Sequence, residues 1–291
     1  MADRGSLTVV GSGIRAIGQV TLEAHAHIKQ AEKLLVLVAD PLTSQWLSDQ
    51  NPTAESLERF YGEGKDRLQT YQDMVDHILS FVRDGLRVCA VFYGHPGVFA
   101  IPSHASVKIA QEEGYQAEML AGVSADACLY ADLGVDPGQG GCQSYEATDF
   151  LVRRRGFDPR SQLILWQIGS IGMLDRRLGF DAANGLKVLA ERLRESYPGS
   201  HTVIVYEASP YAACHPKIVP VSLEELPSAT VTGISTLYVP PRPSPESDEE
   251  VLELLGISAE LRRRRREVEL GNLRQLSTLA TNPWLHGVPG Q

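Results

Sequence analysis

The strongest constraint on this chain is a set of short apolar runs that each stop at a glycine- or proline-marked loop, with helix-length stretches between them. Residues 7–10 run into Gly11-Ser12-Gly13, residues 35–39 into Asp40-Pro41, and residues 88–93 into Gly94-His95-Pro96-Gly97. Runs of this length, alternating with helical segments, predict strands of a mostly parallel sheet. Helices are predicted over residues 16–34 and 66–82. In the second of these, Leu68, Tyr71, Val75, Ile78 and Phe81 recur three or four residues apart, which puts Tyr71 on the inward face. Ligands of such sheets bind beyond the carboxyl ends of the strands, where the marked loops fall.

A second group of runs, residues 163–167, 202–206, 217–221 and 234–239, predicts a further α/β unit. The junction is expected after Gly122, where a helix opens with Ser124 as its N-cap and Asp126 in its first turn. The proline-rich residues 240–245 cannot continue a central strand and read as a stiff linker. The expected division is therefore 1–122, 123–241 and 242–291, the last a linker with helical stretches at 249–255 and 259–276. Within it, the five arginines at 262–266 read as a solvated helix surface balanced by Glu260, Glu267 and Glu269, with a grip on an acidic leader peptide as the alternative.

Composition narrows the function classes. A chain of 291 residues, 43% hydrophobic and 22% charged, has the globular mix and enough length for two packed domains. A net charge of −9 argues against nucleic-acid phosphates or an anionic membrane as partners. Cys89, Cys128, Cys142 and Cys214 form no CxxC pair, so neither a zinc site nor a disulfide framework is signalled. His104, His201 and His215 lack metal-ligand spacing, and Asp132 and Asp136 flank a turn without forming a catalytic pair. There is no targeting segment at the start and no run of about 18 apolar residues, so a soluble, cytoplasmic protein is expected.

Gly11, Gly13 and Gly18 do not reproduce GxGxxG, and alone they describe only a tight turn. The ordered set says more: VVGSGI at 9–14, FYGHPGVFA at 92–100, AGVSADA at 121–127, LWQI at 165–168, YEAS at 206–209 and GISTL at 233–237. Over residues 5–240 this set resembles the tetrapyrrole methylases. Within that superfamily FYGHPGVFA, FYGEGKDRLQTY at 60–71, LWQI and YEA most resemble the borosin peptide N-methyltransferases. The resemblance implies a class III methyltransferase fold, two α/β domains with S-adenosylmethionine in the cleft between them, S-adenosylhomocysteine as product and no metal. It places Tyr93, His95, Val98 and Ala100 on the first cofactor loop and Ser124 and Ala125 on the second. From the second domain it adds Gln167, Ala208, Ser235 and Thr236. Small residues permit close backbone approach, and His95 and Gln167 supply side-chain hydrogen bonds.

A peptide nitrogen is a poor nucleophile because its lone pair is delocalised into the carbonyl. Removing the amide proton creates an imidate whose charge collects on oxygen, so the site needs a base, a cation and donors for that oxygen. By resemblance Tyr71 is the candidate base, with Arg67 one helical turn earlier, and Tyr61 and Tyr93 orient or stabilise the imidate oxygen. The plainer account is that Tyr71 packs in the core and Arg67 is an ordinary surface residue.

The activity expected from the resemblance is iterative α-N-methylation of a ribosomally made precursor peptide. About 50 residues follow the linker, short for a clasp plus core, and Asn282-Pro283-Trp284-Leu285 is not a valine- or isoleucine-rich stretch. The expectation is therefore a split enzyme acting on a separate precursor with a hydrophobic core, as a homodimer or a heterotetramer with two precursors. Two rivals stay open: C-methylation of a small tetrapyrrole such as a precorrin, and a catalytically silent peptide-binding protein on the same fold.

Overall fold

The computed structural model describes residues 5–38, 40–173, 180–244, 247–258, 260–261 and 263–264. The chain divides into two compact units, Met1–Pro240 and Pro241–Gln291. The first carries two five-stranded sheets.

Sheet one is wholly parallel. Strands β1 (Ser6–Gly11), β2 (Lys33–Leu37), β3 (Glu55–Ser56), β4 (Arg87–Phe92) and β5 (Gln116–Met119) lie in the order β3-β2-β4-β1-β5. Helices α1 (Leu22–Gln30), α2 (Pro41–Gln50), α3 (Arg67–Arg83) and α4 (Ile101–Glu112) cover it. The period-two alternation of the strands sorts their side chains. Leu7, Val9, Leu35, Ala90 and Phe92 pack against Met74, Val75, Ile78, Leu79 and Val82 of α3. Val10, Leu34, Val36, Cys89 and Val91 pack on Ala24, Ile28 and Leu47 of α1 and α2. Burial on both faces explains why these strands read as unbroken apolar runs.

Sheet two has the order β6-β7-β10-β8-β9, from β6 (Cys142–Glu146), β7 (Gln162–Trp166), β8 (Thr202–Glu207), β9 (Lys217–Ser222) and β10 (Thr236–Val239). Only β6 and β7 pair in parallel, and the other three pairings are antiparallel, unlike sheet one. One face packs on α6 (Ala147–Val152) and α7 (Ala183–Arg194) through Phe150, Leu186, Leu189 and Leu193. The other gathers Ile164, Trp166, Tyr206 and Tyr238 around Leu129 of α5 (Ala125–Leu133). Sheet one ends at Met119 and sheet two begins at Cys142. We keep 122/123 as the proposed junction.

Several expected boundaries move. The first helix begins at Leu22, not residue 16, because Thr21 caps it and residues 14–16 are held as a loop. There Gln19 Oε1 accepts from the Ile14 and Arg15 N–H groups at 2.8 and 2.9 Å, and the Ala16 N–H donates to the Pro210 carbonyl at 2.8 Å. The helix stops at Gln30 because Leu34 and its neighbours extend into β2, which starts two residues earlier than expected; residue 39 lies outside the described residues. The inward face of α3 centres on Thr70, Met74, Ile78 and Val82, so Leu68 is exposed while Tyr71 and Phe81 sit at the margin. Ser124 occupies the N-cap position of α5, yet its hydroxyl donates to the Asp126 carboxylate and does not cap the helix backbone.

In the second unit α8 spans Glu249–Leu254, with Asp248 accepting from the Val251 N–H at 3.1 Å. Arg263 and Arg264 pair with Glu260 at 2.8 and 3.1 Å. Glu267, Glu269, residues 282–285 and most of the expected 259–276 helix lie outside the described residues.

Candidate active site

Three loops at the carboxyl ends of sheet one converge on backbone, and glycine makes the approach possible. The Gly13 N–H donates to the Gly94 carbonyl at 3.2 Å, and the Gly94 N–H to the Gly13 carbonyl at 3.0 Å. A Cβ on Gly11 would stand 2.2 Å from the Gly94 oxygen, and one on Gly122 would stand 3.2 Å from it. The loops after β1 and β4 are thus hydrogen-bonded together, and the loop after β5 lies against them, without side chains. Beyond the tie, the Tyr93 N–H donates to the Leu37 carbonyl at 2.9 Å and turns the chain away from β4. Next, His95 Nδ1 accepts from the Gly97 N–H at 2.9 Å, which leaves Nε2 as its second polar atom.

From sheet two come the end of β7 (Trp166 and Gln167), the end of β8 (Tyr206 and Ala208) and the start of β10. Because β10 runs antiparallel to both neighbours, its first residue, Thr236, lies beside Tyr206, at the same end. Gln167 adopts a left-handed backbone (φ 59°), as does Phe99 on the loop after β4 (φ 51°). Strained conformations of non-glycine residues concentrate at functional sites.

These elements line one cleft of about 360 Å³, inside the range of small-molecule sites. On it lie Tyr61, Tyr71 and Tyr93, together with His95, Val98 and Ala100 of the first loop. Ser124, Ala125, Gln167, Ala208 and Thr236 line it as well. Two expected residues do not. Arg67 is not on the lining, and its effect on Tyr71 is through charge. Ser235 is buried, and its hydroxyl donates to the Glu207 carboxylate, which also accepts from Lys217 Nζ at 3.1 Å. Burial pushes the Glu207 pKa up, but these hydrogen bonds and the Lys217 charge outweigh it and hold it below the usual range.

Glu58, Phe99, Trp166, Tyr206 and Ile234, none of them among the expected site residues, also line the cleft. Phe99 and Trp166 lie inside motifs already singled out, so their aromatic character was the available signal. Glu58 sits in a 3-10 turn, Leu57–Phe60, that no periodicity marks.

The phenols are not preset as anions. Burial raises the Tyr71 pKa, and the opposing Arg67 charge does not reverse it. Burial likewise pushes Tyr93 up to about 12, helped by negative charge at Cys128 and Asp40. Tyr206 is raised by burial and by its hydrogen bond to Asp132, at 2.7 Å. In all three, burial favours the neutral phenol, and at Tyr71 the Arg67 charge works against it.

Comparison with known proteins follows the same outline. Residues 6–227 match the profile of the tetrapyrrole (corrin/porphyrin) methylases. The chain is 43% identical over 261 residues to the methyltransferase/ribosomally synthesized cyclic peptide gymnopeptides precursor of Gymnopus fusipes, covering 88% of this chain and 62% of that one. It is 43% identical over 258 residues to the corresponding omphalotin A precursor of Omphalotus olearius, covering 87% and 62%. A type III borosin cyclic peptide precursor of Anomoporia bombycina is 44% identical, covering 87% of this chain and 30% of that one. The chain thus spans less than two thirds of these relatives. Among solved structures, uroporphyrin-III C-methyltransferase from Thermus thermophilus superposes with a TM-score of 0.58 at 19% identity, covering 81% of this chain and 92% of that one. Cobalt precorrin-4 methyltransferase gives 0.56 at 16% identity, covering 81% and 94%. At that identity these two establish the shared fold.

Proposed function

The chain belongs to the tetrapyrrole (corrin/porphyrin) methylase family, and from that premise we propose that it is an S-adenosylmethionine-dependent methyltransferase acting iteratively on backbone amides of a ribosomal precursor peptide. The observation that carries this reading is the convergence of Tyr61, Tyr71 and Tyr93 on the cleft that also holds the loop-borne cofactor candidates. Relatives at 43% and 44% identity are named as methyltransferases joined to cyclic peptide precursors, which supports the choice of substrate.

The cleft suits the cofactor. Its volume fits, backbone at Gly11 leaves no room for a Cβ, and His95 and Gln167 offer polar groups beside apolar Val98 and Trp166. When bound, the cofactor supplies an electrophilic methyl group and a positive sulfonium.

An added positive charge, together with Arg67, opposes the burial that keeps Tyr71 protonated. Tyr71 then loses its proton to solvent on assembly and takes the amide proton through Oη. The amide proton would pass to Tyr71, the nitrogen would take the methyl group as its bond to the sulfonium sulfur breaks to leave S-adenosylhomocysteine, and Tyr61 and Tyr93 would donate hydrogen bonds to the oxygen on which the imidate charge collects. The peptide is proposed to arrive as a separate chain with an apolar core, and the enzyme to work as a homodimer.

The test incubates this chain and S-adenosylmethionine with a separate synthetic peptide rich in valine and isoleucine, followed by fragment mass spectrometry. Successive methyl-sized additions on backbone nitrogens are expected. Methyl transfer to a precorrin with none to any peptide overturns the reading.

A further inference from the structure

Phe99 occupies a costly position for little return from its own chain. A bulky side chain at φ 51° is strained, because Cβ crowds the following carbonyl. Such strain persists where surroundings or a ligand repay it. Here the residue remains 50% exposed. It packs against the Trp166 ring, with centroids 5.9 Å apart and planes at 59°. Trp166 itself is fixed: it closes β7, is 7% exposed, and its indole N–H donates to Ser144 Oγ at 2.5 Å. The pair therefore offers an open ring braced by a rigid one.

The cleft also has a gradient of exposure. Phe92, Tyr206 and Thr236 are buried at its floor, whereas Val98, Phe99 and Ile234 are exposed at its rim. A ligand seated on the floor among the polar groups leaves the apolar rim for a second reactant. Three exposed apolar side chains beside one opening have no reason to gather there for a polar one.

Resting on the peptide reading above, we propose that Phe99 is the specificity-determining residue of the cleft. Its ring, braced by Trp166 and continued by Ile234, receives the apolar side chain of the residue whose backbone nitrogen is methylated.

The experiment compares the full chain with Phe99→Gly and Phe99→Leu on two peptides that differ only in valine or glycine at the acceptor position. Glycine accepts φ 51° without strain, so that variant tests the ring and not the backbone. For the full chain kcat/KM is expected to favour valine. In Phe99→Gly that preference should fall by about tenfold, the range an apolar pocket supplies, with Phe99→Leu between them. S-adenosylhomocysteine affinity by calorimetry should stay within about twofold, an equal-affinity result meaning the floor is intact. An unchanged valine preference in folded Phe99→Gly overturns the proposal. So does a loss of S-adenosylhomocysteine affinity with the preference retained, which moves Phe99 to the cofactor. If the unaltered chain methylates neither peptide, the peptide reading itself falls, and this assignment with it.

Discussion

Gly13 and Gly94 exchange two backbone hydrogen bonds, and both hold φ near +70° (70° and 71°). Gly11, two residues before, lies so close to this pair that an added Cβ would stand 2.2 Å from the Gly94 oxygen and 2.9 Å from Pro96 Cδ. Backbone cannot yield as a flexible side-chain end does. Gly11→Ala is therefore expected to destabilise the protein by about 2 kcal/mol or more and to abolish S-adenosylhomocysteine binding. Thermal melting and calorimetry read both effects. A variant with unchanged melting temperature and affinity shows that the loops are free to separate.

Much of sheet one was legible because its strands are buried on both faces and read as continuous apolar runs ending in turn residues. The polar β5 (Gln116–Met119) and the two-residue β3 (Glu55–Ser56) carry no such signal, since edge strands need little apolar surface. Sheet two was located, but its pairing was not, because direction is set by connections and not by the runs themselves. Most candidate site residues reached the cleft through motif resemblance. Ser235 lies off the cleft lining: its hydroxyl serves Glu207, a long-range contact no local pattern encodes.

His95 presents its Nδ1 to the Gly97 N–H and so keeps its own loop closed. His95→Ala removes both this brace and a polar group from the cleft. S-adenosylhomocysteine affinity should fall by about tenfold, the worth of one or two hydrogen bonds, with the melting temperature little changed. His95→Asn, which can still accept from Gly97, should recover part of it. Calorimetry with no difference among the three proteins removes His95 from cofactor binding.

Tyr71 acts as a base only when deprotonated, and burial raises its pKa above the ordinary phenol value near 10. The active fraction of free enzyme therefore grows as pH rises. The logarithm of kcat/KM, which reports the free enzyme, should climb from pH 7 to 9 without reaching a plateau. Arg67 opposes the shift, so Arg67→Met should lower kcat/KM throughout and displace the rise to higher pH. Tyr71→Phe should cost about a hundredfold or more and flatten the profile, with S-adenosylhomocysteine affinity unchanged. A flat profile in the unaltered protein assigns the proton to another group.

Glu55 anchors the segment that leads to Tyr61. Its carboxylate binds Lys33 at 2.5 Å, Arg59 at 2.7 Å and His77 at 2.8 Å, and the 3-10 turn that follows ends at Phe60. Burial pushes the Glu55 pKa up, but hydrogen bonds from Lys33 and His77 and their charges outweigh it and hold it below 4.5. A carboxylate depressed in the folded state stabilises above its unfolded pKa, and that contribution disappears as pH falls through the folded value. Glu55→Gln should thus lower stability at pH 7 by about 1 kcal/mol after solvent screening, or a few degrees in Tm. The gap between the two proteins should begin to narrow as pH falls through the ordinary carboxylate range and close only below the depressed folded pKa, where Glu55 is protonated in both folded and unfolded states. Because the variant also loosens the approach to Tyr61, kcat should drop while S-adenosylhomocysteine affinity holds. Paired thermal melts from pH 3 to 8 check the stability claim, and a gap that stays constant across that range rules out the carboxylate's charge as its source.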